Sequence, residues 1–338
     1  MTDRAELAQT FLNGAGWGDA RRAPLAGDAS NRRYERLTNT ATGQPAVLMD
    51  APPERGEDVR PFVRMAMYLR SLGLSAPAIL AEDPEHGFLL LEDLGDDLFA
   101  RVIPGQPKLE PELYRAATDA LVSLHRAAPL DLPVYDPARM TQLAALAFEK
   151  YAAGINGAID HIELKHFSDR FEPLLQSAAD GPHVVIQRDY HAENLLWLPH
   201  QDGPARVGLL DFQDAMLGHP AYDLVSLLQD ARRDVPAGIE ARMIDHYLEE
   251  TGLDAHLFRT AYAALGVQRN LRILGVFARL GIDYGKPWYI DLIPRVWDHV
   301  VRDLEHPVLA PVAAQILEAL PTPTSSNLDI LRSKCPTP

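Results

Sequence analysis

Asp189 and Asn194 stand five residues apart in the stretch VVIQRDYHAENLLWL, and Asp211 follows the apolar run Val207 to Leu210. Arg188, Asp189, His191, Glu193 and Asn194 thus lie between two runs, Val184 to Ile186 and Leu195 to Leu198, that read as buried strands. Burying such groups unpaired costs several kcal/mol, so they either form a surface loop or line a site. If Val207 to Leu210 pairs with Leu195 to Leu198 through the turn PHQDGPA, the hairpin brings Asp189, Asn194 and Asp211 to one end. A carboxylate and an amide oxygen converging on one point are the hard ligands that Mg²⁺ on a nucleotide's phosphates takes. The second carboxylate, Asp189, is then left to accept a proton from an attacking hydroxyl, which is the division of labour of phosphoryl transfer. The competing reading is an exposed hairpin with capping side chains.

The surrounding elements are organised to hold such a site. Leu7, Ala8, Phe11 and Leu12 share a helical face that Asn13-Gly14 ends. Tyr34 to Leu37 and Ala46 to Met49 flank the turn-rich TNTATGQP as a β-hairpin, and Val59 to Leu72 has helical spacing closed by Gly73. Two further strands flank DPEHG, the second ending at Glu92. From there helices dominate, among them Pro111 to Arg126, Met140 to Tyr151 and Leu257 to Leu280. The expected division is a strand-rich lobe over 1–94, a helical lobe over 95–320 and a flexible tail over 321–338. Two lobes make a cleft, where ligands tend to bind.

Composition narrows the function. The formal net charge of −15 disfavours nucleic-acid and anionic-membrane surfaces and favours cations such as Mg²⁺. No N-terminal apolar run has signal-peptide length, so the chain is expected in the cytoplasm. The single Cys335 can form neither an internal disulfide nor a cysteine-rich metal site. His191-x-Glu193 lacks the cysteine pair that a zinc deaminase would need. No nucleic-acid, membrane or obligate protein partner is implied.

Together, GDASNRRY, QRDYHAENLLWL, GLLDFQDAMLGHPAYDLVSLLQDARRDV and QRNLRILGVFARL resemble the aminoglycoside phosphotransferase and choline kinase superfamily. Within it, the chain is similar to the bacterial anomeric kinases for N-acetylmuramate and N-acetylglucosamine of peptidoglycan recycling. The resemblance implies an α+β, two-lobed, protein-kinase-like fold with a small antiparallel-sheet N-lobe and a mainly helical C-lobe, using ATP and Mg²⁺. DFQDAMLGHPAYDL runs straight into a helix, with no long activation segment, so the implied acceptor is a small molecule.

Position by position, the resemblance makes Asp189 the catalytic base and Asn194 and Asp211 the Mg²⁺ ligands. It puts Gly27, Ser30, Asn31, Arg32 and Arg33 over the triphosphate, and the adenine against the backbone from Glu92 to Leu94. Asp223 would hydrogen-bond the catalytic loop, while Arg188, His191 and Glu193 would brace it. Asp214 could touch a second metal position or face solvent. One departure stands out: Met49 occupies the strand position where kinases carry a phosphate-binding lysine, and Arg32 or Arg33 is expected to supply that charge. Arg269 and Asn270, mid-helix in an apolar run, would meet a sugar substituent with Lys286 and Tyr289, or else pair with an Asp or Glu of the chain. The alternatives are an aminoglycoside or other amino-alcohol kinase, and a non-catalytic nucleotide-binding regulator.

Overall fold

The computed structural model describes residues 4–25 and 31–336; Gly27 and Ser30 lie outside the described residues. Contacts divide the chain into two compact units. One is Met1–Ala127 with Ala192–Ala215, the other Ala128–His191 with Met216–Pro338.

The first unit is built on five antiparallel strands: β1 (Arg21–Pro24), β2 (Arg33–Thr38), β3 (Pro45–Asp50), β4 (Ile79–Asp83) and β5 (Phe88–Glu92). Their order in the sheet is β1-β2-β3-β5-β4. The expected hairpin forms with Tyr34 opposite Met49 and Leu37 opposite Ala46. Helix α1 (Arg4–Gly14) buries Ala8 and Leu12 against Leu37, Leu48, Phe88 and Leu90 on one sheet face. Met49, next to Leu48, points to the opposite face by the two-residue period of a strand and is only 1% exposed. That burial explains the methionine: the position is core. Helix α2 (Arg60–Ser71) buries Phe62, Met65, Ala66 and Leu69, and Gly73 at φ 75° ends it. Strand β1 has no sequence signal, because RRAP is an exposed edge with no apolar face.

The expected boundary at residue 94 moves. Helices α3 (Phe99–Gly105) and α4 (Glu110–Arg126) belong to the first unit, with the hairpin Leu195–Trp197 and Val207–Leu209. The cause is long-range backbone pairing. Ser75 bridges Gly208 and Leu98 bridges Leu196, with Leu209 N–H donating to the Ser75 carbonyl at 2.8 Å. Arg206 adds an ion pair to Glu112 at 2.7 Å. Both hairpin edges find partners in this way.

The second unit is mainly helical: α5 (Pro137–Ala144), α6 (Ala153–Asn156), α7 (His161–Ala178), α8 (Ala221–Leu228), α9 (Ala237–Thr251), α10 (Ala255–Ile282), α11 (Ile293–Leu304), α12 (Ala310–Ala319) and α13 (Ser325–Ser333). Val184–Ile186 belongs here and pairs with Met216–Gly218. The expected helix from Met140 to Tyr151 is instead α5 followed by a π-helical turn, Ala147–Ala152. Part of the expected flexible tail is also ordered. Thr324 caps α13 by accepting from the Asn327 amide, Leu328 and Leu331 are buried, and Lys334 Nζ donates to the Gly154 carbonyl. A nine-residue helix with two buried leucines is too short for its pattern to stand out beside prolines. Among the described residues, no helix is long and apolar enough to cross a membrane.

Helix α10 is the axis of this unit, with Phe258, Leu265, Leu271, Leu274 and Phe277 all buried. At Gly275 its backbone passes so close to Leu146 that a Cβ would lie 2.2 Å from the Leu146 carbonyl carbon. Backbone cannot rotate away as a side chain can. Gly275→Ala should therefore destabilise the second unit by about 3 kcal/mol, the upper end of overpacking costs, read as a lower urea midpoint; an unchanged midpoint would refute the close approach.

Candidate active site

In the second unit, the loop carrying Asp189 is held from below by α8. The Asp223 carboxylate, fully buried, accepts from the Gln187 amide at 2.6 Å and the Arg188 amide at 2.8 Å. Arg188 stands at φ 72°, a conformation costing a side-chain-bearing residue about 1–3 kcal/mol. Its carbonyl is fixed as well: Ser226 Oγ donates to it at 3.2 Å, and Arg269 Nη2 donates to Ser226 Oγ at 2.7 Å. The Arg188 guanidinium lies 5.5 Å from the ring centre of Tyr135. Asp223 therefore does what the sequence resemblance implies, and His191 is buried beside Arg232, its Nε2 3.4 Å from Nη1.

Charge around the loop is set by burial and by guanidinium groups. Burial alone would push the Asp189 carboxyl up, but Arg272, Arg269, His191 and Arg188 outweigh it and hold the group below its ordinary value. Asp189 is thus ionised at neutral pH while still partly exposed. Burial pushes Asp223 up to about 7, against the pull of its two amide donors. Burial likewise lowers His191 to about 4, so its imidazole is neutral.

The first unit holds the other chemical residues. Leu195 pairs with Leu209, and the Leu210 amide donates to the Asn194 carbonyl at 3.0 Å, so Asn194 and Asp211 sit at the same end of the ladder. Asp211 has φ 56°; among the described residues, it and Arg188 are the non-glycine positions with positive φ. Phe212, fully buried, packs at a 33° tilt against Phe62 of α2 with centroids 4.8 Å apart, which anchors the residue after Asp211. Gln213 Nε2 donates to Asp211 Oδ1 at 2.6 Å. A carboxylate and a side-chain amide, both oxygen donors, fit Mg²⁺, which shares its remaining positions with phosphate and water. Asp214 and Glu193 are exposed.

Of the nucleotide candidates, Asn31 and Arg32 are tied to one carboxylate that pattern reading missed. Glu57 Oε1 accepts from the Asn31 amide at 3.2 Å and Glu57 Oε2 from Arg32 Nε at 2.8 Å. Glu57 lies in a turn before α2, where an acidic residue carries no distinguishing signal. Arg33 opens β2 and is exposed. The Glu92 amide is taken by the Ala78 carbonyl at 2.9 Å. Leu94, by contrast, makes no backbone–backbone hydrogen bond among the described residues.

The four acceptor candidates separate. Asn270 is fully buried and donates to Gln229 Oε1 at 2.6 Å, an intrachain partner that is an amide and not the expected Asp or Glu. Arg269, 3% exposed, braces the loop through Ser226. Tyr289 packs on Phe277 with centroids 5.1 Å apart. If Asp223 fixes the loop, Asp223→Asn, which replaces one acceptor oxygen by a donor NH₂, should speed amide hydrogen exchange at Gln187 and Arg188 at least tenfold; unchanged exchange would show the strain to be held elsewhere.

Comparison with known proteins gives this geometry a family. Residues 21–262 match the model of the phosphotransferase enzyme family. An N-acetylmuramate/N-acetylglucosamine kinase of Caulobacter vibrioides is 39% identical over 96% of this chain and 98% of its own. A protein of the same name from Pseudomonas aeruginosa is 34% identical over 90% of this chain and 91% of its own. Among solved structures, a Plasmodium vivax ethanolamine kinase shares the fold with TM-score 0.60 at 13% identity, over 86% of this chain and 83% of its own. The family match takes in Asp189, Asn194 and Asp211, and the relatives run almost end to end, so the chain belongs to the phosphotransferase enzyme family of protein-kinase-like fold.

Proposed function

We propose that the protein transfers the γ-phosphoryl group of ATP to the anomeric hydroxyl of N-acetylmuramate or N-acetylglucosamine, in the cytoplasm where ATP is available, as a step of peptidoglycan recycling. What carries the reading is Asp189: partly exposed, kept ionised by surrounding guanidinium groups, in a chain 39% identical to a kinase named for these two sugars. Asp189 would accept the proton of the acceptor hydroxyl as that oxygen bonds phosphorus and the bond to the ADP oxygen breaks. A hemiacetal hydroxyl is more acidic than an ordinary sugar alcohol, so a carboxylate of low pKa serves chiefly by orienting it. Asn194 and Asp211 would hold Mg²⁺, which when bound offsets the charge of the phosphate oxygens. Leu94 would offer its N–H and C=O to the adenine.

The missing strand lysine finds its replacement in Arg32. Kinases hold their lysine with a helix glutamate, and here Glu57 holds Arg32, the two side chains 13% and 12% exposed. Arg32→Ala should raise the ATP KM at least tenfold, whereas Arg33→Ala should change it less than twofold; equal effects would remove the distinction, and no effect of either would remove the role.

ATP consumption by purified protein should be stimulated by either acetylated sugar but not by kanamycin or choline. Stimulation by kanamycin or choline alone would favour an amino-alcohol kinase, and no turnover with any acceptor a nucleotide-binding regulator. Asp189→Asn should lower kcat by 10³-fold or more in order of magnitude, with the ATP KM little changed. Because Asp189 works ionised and its pKa is held low, its acid limb in kcat/KM should lie below the ordinary aspartate value of about 3.9. Raising the pH from 5 to 8 should therefore leave its contribution unchanged. A limb near pH 7 would belong to Asp223, and Asp223→Asn should abolish it.

A further inference from the structure

Arg272 sits on α10 one turn after Arg269, yet the two guanidinium groups are used differently. Arg269 is buried, with Nη2 hydrogen-bonded to Ser226 and Nε and Nη1 enclosed without a hydrogen-bond partner among the described residues. Arg272 remains partly exposed, and its one hydrogen bond among the described residues is a long one, 3.4 Å from Nη1 to the Tyr222 hydroxyl. A guanidinium carries five N–H donors in a planar fork shaped for two parallel bonds to a carboxylate. The fork stands beside two tyrosines, since the Tyr135 and Tyr222 rings meet edge to face at 5.1 Å. It is also a close electrostatic neighbour of Asp189. Arg188, Arg269 and Arg272 thus gather around one reacting carboxylate in a chain whose net charge is −15, so this positive cluster runs against the overall field.

We infer that Arg272 forms an anion subsite of the acceptor pocket, one that receives a carboxylate substituent of the sugar and makes the protein prefer the acid-bearing sugar to its neutral counterpart. The inference rests on the proposed function and deepens it. Of the two sugars there, N-acetylmuramate carries a lactyl ether ending in a carboxylate and N-acetylglucosamine does not. Of Arg269, Asn270 and Arg272 on α10, Arg272 combines a fork holding one long bond with access to solvent; Arg269 and Asn270 have no such access. The same guanidinium helps to keep Asp189 ionised, so its loss touches turnover of every acceptor. A ratio between two acceptors cancels that shared effect.

The experiment is a substrate–protein double cycle. kcat/KM is measured for N-acetylmuramate and for its lactyl methyl ester, with wild type, Arg272→Gln and Arg272→Lys. Wild type should prefer the acid at least tenfold; Arg272→Gln should bring the ratio within threefold of one, and Arg272→Lys, which keeps the charge but loses the fork, should fall between. No preference in wild type, or a ratio in Arg272→Gln within twofold of the wild-type value, overturns the subsite. Calorimetric binding of acid and ester to wild type and Arg272→Gln applies the same criterion without turnover. Absence of turnover with both acetylated sugars in wild type therefore counts against the proposed function, while the binding ratio still decides the subsite.

Discussion

The Asp223 carboxylate, accepting the amides of Gln187 and Arg188, is the interaction on which the reactive loop depends. A backbone with Arg188 at φ 72° relaxes unless something holds it, and a buried carboxylate with two short bonds does so. The grip is reinforced from α10, through Arg269 to Ser226 to the Arg188 carbonyl. Asp189 is consequently presented by a loop fixed at both the N–H and the C=O of its neighbour. The burial that makes Asp223 a firm anchor also raises its pKa to about 7, so anchoring and charge are in tension at this one residue.

Helix α10 carries the polar groups that its apolar surroundings must accommodate. Gln268 donates to the Met140 carbonyl at 2.8 Å, Arg269 to Ser226 and Asn270 to Gln229. Gln229 in turn donates to Asp303 at 3.2 Å, and Arg302 grips Glu240 through both oxygens at 2.8 and 2.9 Å. Tyr262 completes the group with a 2.8 Å bond to Glu240. Polar networks of this kind favour one register of a helical core, because any shift strands several partners at once. Locking α8, α10 and α11 together steadies Asp223 and Ser226, the two α8 residues that hold the loop.

Much of this was legible from the chain. The apolar run Ala46 to Met49, the helical stripe of Val59 to Leu72 and the run Leu257 to Leu280 announced their elements, because each is mostly buried and its local apolar pattern shows it. Asp189, Asn194 and Asp211 stood out because ionisable groups between apolar strands demand an explanation. Other features left no local trace. Strand β1 is an exposed edge, Glu57 is one acidic residue in a turn, and the Ser75–Gly208 bridge joins segments more than a hundred residues apart. For Arg269 and Asn270 the pattern posed the right question without the answer, since whether a mid-helix cation meets a ligand or a serine depends on what packs opposite.

The residue types and their order determined by themselves that the chain has a strand-rich part and a helical part, and that Asp189 and Asn194 stand five residues apart between apolar runs with Asp211 after a third. These follow from short-range periodicity and chemistry, which neighbouring residues carry. Tertiary structure alone decided how the chain divides, with α3, α4 and the Leu195 hairpin joining the sheet. It also decided which arginine is buried as a brace and which reaches solvent, and that Met49 is core while Arg32 is held by Glu57. The physical reason is the same throughout: burial, backbone pairing and pKa are properties of what surrounds a residue, and those surroundings are assembled from segments distant in sequence.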